Sequence, residues 1–78
     1  MLKYELTERT QETVTYKYFP EGKDTFGTIC VRQSNGEIVE ERLADCEESQ
    51  WYHRKMLRRI QEFVNSNNFK MQGVVAWY

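Results

Sequence analysis

The sequence predicts an α+β domain: an antiparallel ββββ-α-β chain whose five-stranded sheet carries one helix on one face. Three observations predict it. Apolar residues recur at helical spacing only once, between Asp45 and about Asn67. Before that stretch, four segments alternate apolar and polar residues with a period of two and are separated by turn residues. After it, the segment from Phe69 to Tyr78 becomes nearly continuous in apolar residues, as a strand covered on both faces or lying in an interface does.

The first strand is expected over residues 2–8, where Leu2, Tyr4 and Leu6 alternate with Lys3, Glu5 and Thr7. Arg9-Thr10-Gln11 turns the chain. Residues 12–19 alternate again, with Val14, Tyr16 and Tyr18 on one face. Pro20 and Gly22 make the next turn, because proline donates nothing to a ladder and glycine frees the backbone. A third strand covers residues 25–33 and a fourth residues 37–43, with Ser34-Asn35-Gly36 between them. A two-residue loop would oppose Cys30 to Glu41 and pair apolar with charged residues. A three-residue loop with Gly36 left-handed opposes Val31 to Val39, and then Ile29, Val31, Val39 and Leu43 share a face. The second choice gives the more coherent core.

The helix is expected to begin at Asp45, whose carboxylate can accept from the first free backbone N–H groups while Glu48 reaches back. It ends among Asn65, Ser66, Asn67 and Asn68, poor helix formers of which asparagine tolerates a left-handed C-cap. At 100° per residue, Met56, Leu57, Ile60, Phe63 and Val64 form one stripe, extended by Cys46, Ser49 and His53. Trp51, Arg54, Lys55, Arg58, Glu62 and Asn65 lie opposite. The fifth strand, residues 69–78, can pair antiparallel with the first, giving order 5-1-2-3-4, or parallel with the fourth. The first arrangement is preferred because it keeps the sheet wholly antiparallel.

Seventy-eight residues make one domain, with a thin stability margin at this size. Eleven aromatic residues supply large core building blocks. Net charge is −1, which gives no general attraction to nucleic acid, yet its distribution is uneven. Residues 1–48 hold 6 basic and 11 acidic groups, and residues 49–78 hold 5 and 1. No leader pattern and no apolar run near the length of a membrane span is present, so a soluble cytoplasmic protein is expected, without membrane contact. Two cysteines are too few for a disulfide framework.

No catalytic or metal motif emerges, and no cofactor is expected. His53 with Cys30 and Cys46 lacks the spacing and ligand number of a zinc site. Glu40 and Glu41, as strand neighbours, point to opposite faces, and Glu47 and Glu48 are explained by the helix start. The chain therefore reads as a non-enzymatic protein-interaction module. One helix covers one sheet face and leaves the other bare, with Phe19, Phe26, Cys30 and Ile38 expected there. Self-association into a homodimer through that face or an edge strand is the primary expectation. The alternative is a nucleic-acid-binding accessory protein using Trp51, Arg54, Lys55 and Arg58. A small-ligand site between helix and sheet, with Ser49 and His53 as polar groups, is the third.

Overall fold

The computed structural model describes residues 1–21, 24–45 and 50–76. They form β1 (Leu2–Arg9), β2 (Thr13–Pro20), β3 (Gly27–Arg32), β4 (Ile38–Arg42), α1 (Trp51–Ser66) and β5 (Gln72–Val75). The sheet order is β4-β3-β2-β1-β5 with every neighbouring pair antiparallel, as the sequence predicts. Alternation sets the faces. Leu2, Tyr4, Val14, Tyr16, Tyr18, Ile29 and Val31 are buried together with Met56, Ile60 and Phe63 of α1. Leu57 and Val64, expected on the same stripe, are half-buried at its rim.

The centre of this layer is aromatic. Tyr4 and Tyr16 meet edge-to-face at 5.9 Å, and both lie within 5.7 Å of Phe63. The Tyr16 hydroxyl donates to the Lys70 carbonyl at 2.7 Å, so a buried phenol is satisfied by the segment leading into β5. Two tyrosines lie across from glycines: Tyr18 opposes Gly27 and Tyr4 opposes Gly73. Each ring occupies the space a Cβ on its glycine would need, so the tyrosine covers backbone that would otherwise be bare.

The hairpin between β3 and β4 differs from the expected three-residue loop. Gly36 is left-handed (φ 76°), as expected. However, Arg32 N–H donates to the Glu37 carbonyl, which leaves Gln33 to Gly36 as a four-residue loop. Val31 then opposes Ile38, and the register shifts before Cys30 opposes Glu40 and Ile29 opposes Glu41. Val39 is the extra residue of that bulge and is 51% exposed. The longer loop moves Ile38 to the helix side, where it packs against the core. Val39 therefore does not join Ile29 and Val31, and Leu43, beyond the end of β4, is 37% exposed.

The helix also starts later than expected. Asp45 is an exposed turn residue, and Gln50 precedes the first turn in a left-handed conformation (φ 62°) without a side-chain cap. Glu47 and Glu48 lie outside the described residues. Helices in proteins are held mostly by their apolar face. The first side chain that α1 buries is His53, in its opening turn. The C-terminus follows expectation: Asn67 is left-handed (φ 53°), its N–H reaches the Val64 carbonyl, and Asn68 N–H reaches that of Phe63. β5 is shorter than residues 69–78; Phe69 is buried in the connection preceding it, and Trp77 and Tyr78 lie outside the described residues.

Candidate interaction surfaces

The helix-free face has an apolar corner and a polar remainder. In the corner, Phe19 and Phe26 pack at 5.9 Å, and Lys17 Nζ lies 4.3 Å from the Phe26 ring centroid. Lys3 lies between Phe19 and Val74 in the ladder, and Val74 is 48% exposed. A shallow depression of about 450 Å³ runs past Lys3, Phe19, Gln72 and Val74. Elsewhere the face alternates charge and hydroxyl. Glu5 opposes Lys17, Lys17 opposes Thr28, Thr28 opposes Arg42, and Thr15 opposes Cys30, which opposes Glu40.

Of the four residues expected on this face, Phe19 and Phe26 share the corner and Cys30, a half-buried thiol, lies in the polar part. Ile38 does not belong with them, because the four-residue loop turns it under the helix.

The outer surface of α1 brings together all four residues of the alternative site. Trp51, Arg54, Lys55 and Arg58, with Leu57 and Gln61, line an open groove of about 420 Å³. Trp51 is 39% exposed, and Lys55 Nζ sits 5.1 Å from the centre of its ring. Trp51 also meets Tyr52 edge-on at 5.3 Å. Among the described residues, no carboxylate pairs with Arg54, Lys55 or Arg58; the nearest acidic group on the helix, Glu62, is 3.9 Å from Arg59. The groove thus concentrates cations beside an aromatic ring.

The sequence reading did not anticipate how His53 is held. The ring is 4% exposed, with Nδ1 2.7 Å from the Tyr18 hydroxyl and Nε2 2.5 Å from a Glu41 carboxylate oxygen. A carboxylate can only accept, so Nε2 carries the proton toward Glu41. In the neutral ring Nδ1 then accepts from Tyr18. A signal for this existed: the register that opposes Ile29 to Glu41 puts that carboxylate on the helix side, where His53 lies on the facing stripe. His53 thereby fastens α1 to β2 and β4. Ser49, its expected companion in a small-ligand site, lies outside the described residues.

Among the described residues, no group of three or more histidine, cysteine, aspartate or glutamate side chains is placed to hold a metal ion, and no helix is long and apolar enough to cross a membrane. The chain matches no protein-family model, and comparison with curated proteins and with solved structures likewise gives no match.

Proposed function

We propose that this chain is a non-enzymatic, cytoplasmic protein-interaction module that self-associates through the part of its sheet the helix leaves uncovered. The observation that carries this reading is the concentration of uncovered apolar groups at one end of the sheet. Phe19 and Phe26, both half-buried, and Val74, 48% exposed, lie together on the helix-free face. Burying side chains of this kind contributes roughly 1.5–3 kcal/mol each. A two-fold axis lets one surface cover its own copy. The test is solution mass by sedimentation over a wide concentration series. Reversible dimer formation is expected, and a monomer at every concentration would overturn the reading.

The groove on α1 supports a second reading, binding of single-stranded nucleic acid, with Trp51 stacking on a base and Arg54, Lys55 and Arg58 meeting phosphates. Lys55 must swing off the ring to admit a base. Fluorescence of Trp51 titrated with a short oligonucleotide at low salt tests it, and an unchanged signal rejects it.

A further inference from the structure

The sheet ends in two edge strands, and they are not equivalent. β4 carries Glu40, Glu41 and Arg42 in five residues and is bent by the bulge at Val39. Bulges and charges are the devices that keep an edge from pairing. β5, Gln72-Gly73-Val74-Val75, has none of these features: it carries no charge and no proline, and its register with β1 is unbroken.

Its free backbone groups can be assigned. Leu6 N–H donates to the Met71 carbonyl at 2.7 Å, and in the same register Tyr4 opposes Gly73 and Leu2 opposes Val75. Hydrogen-bonding direction alternates along an antiparallel strand. Met71, Gly73 and Val75 therefore face β1, whereas Gln72 and Val74 direct their N–H and C=O groups outward from the sheet.

We propose that β5 pairs antiparallel with β5 of a second copy of this chain, about a two-fold axis at Gly73. The inference rests on the self-association reading above and specifies its contact. Gln72 of one copy opposes Val74 of the other, so the outward groups of both residues are satisfied. No charged side chain meets its twin in the strand, and the Val74 methyls and the depression beside Phe19 continue across the junction. On the helix side, Lys55, Arg58, Arg59 and Glu62 flank Val75 and Ala76. The axis brings this mainly basic group toward its copy, so association tightens as salt screens the repulsion.

Val74→Pro is the deciding variant. It deletes an outward N–H while sparing the ladder to β1, a position where an edge strand tolerates proline. Thr28→Glu is the control, because it charges the polar part of the open face on β3, which β2 and β1 separate from the β5 edge. Expected are a dimer for the wild type, a dissociation constant raised by about tenfold or more in Val74→Pro, since each copy loses a ladder donor, and little change in Thr28→Glu. The amides of Gln72 and Val74 should become protected from hydrogen exchange as wild-type concentration rises. Dimerisation retained by Val74→Pro, or fast exchange of both amides in the dimer, overturns the edge contact while leaving self-association standing. A wild type that stays monomeric overturns both. Should Val74→Pro fail to fold, or should both variants dissociate, the amide exchange of the wild type decides.

Discussion

Glu41 of the edge strand accepts a hydrogen bond from Nε2 of the buried His53 at 2.5 Å, and this contact ties β4 to the helix beside the packing of Ile38. Because the Glu41 side chain is 47% exposed, solvent screens part of the attraction. A double-mutant cycle of Glu41→Ala and His53→Ala should give a coupling energy of about 1 kcal/mol, below the upper range for hydrogen bonds to charged groups. Coupling indistinguishable from zero in denaturant melts would mean that the pair does not fasten the edge.

Core substitutions should separate by depth. Ile60 is fully buried, so Ile60→Ala should cost roughly 2–4 kcal/mol. Leu57 sits at the rim and should lose less, about 1–2 kcal/mol, because solvent fills part of the space left. Arg54→Ala should stay within about 0.5 kcal/mol of wild type. Equal urea midpoints for the three would show that the helix faces are misassigned.

The sequence made the sheet order and the helix faces legible, because both follow from periodicity. Alternation through Leu2, Tyr4, Val14, Tyr16 and Tyr18 assigns faces without knowledge of partners. The hairpin at Ser34-Asn35-Gly36 was less legible. A loop of two, three or four residues suits those residues, and only the bulge at Val39 reconciles a four-residue loop with Ile29 opposite Glu41. One residue of shift was enough to exchange Ile38 and Val39 between faces. The helix start differs for a related reason: Asp45 and Glu48 form a good capping pattern, but α1 begins at Trp51, and local propensity yields to where the apolar stripe docks.

Alkaline pH should unfold the domain. Burial pushes the Tyr16 hydroxyl well above the usual tyrosine range, and burial likewise raises Tyr4. The folded state thus holds protons that the unfolded chain releases above about pH 10. Stability is complete below that pH and falls as pH rises further, since the unfolded state then binds fewer protons. Phenolate absorbance followed with far-UV circular dichroism should show Tyr4 and Tyr16 ionising together with loss of structure. Ionisation of all tyrosines in a folded protein at pH 10 would contradict this.

If nucleic acid occupies the groove on α1, affinity should fall with salt. Three phosphate contacts, from Arg54, Lys55 and Arg58, give a slope of log affinity against log salt of about −2 for a single strand. Arg58→Ala should reduce that slope by roughly 0.7, whereas Trp51→Ala should lose about 1–3 kcal/mol with the slope unchanged. A slope near zero would exclude phosphate contacts. An unaltered affinity in Trp51→Ala would exclude stacking.

Gly27 on β3 leaves room for the ring of Tyr18 on β2. A Cβ placed on Gly27 would lie 2.3 Å from the Tyr18 ring, and that ring is fully buried. The ring must therefore move in Gly27→Ala, and its hydroxyl is the group 2.7 Å from His53 Nδ1. Overpacking of this kind costs about 1–3 kcal/mol. Gly36→Ala makes only ordinary van der Waals contact with Val64 and Gln61, at 3.7–3.8 Å, and suffers its left-handed backbone, about 1–2 kcal/mol. Stability alone will not separate the two variants, but His53 will. Its ring proton and nitrogen resonances should shift in Gly27→Ala, as Tyr18 leaves Nδ1, and stay in place in Gly36→Ala. Unshifted His53 signals in a folded Gly27→Ala protein would show that Tyr18 does not position the histidine. The link from β2 through His53 to Glu41 on β4 would then have to be abandoned.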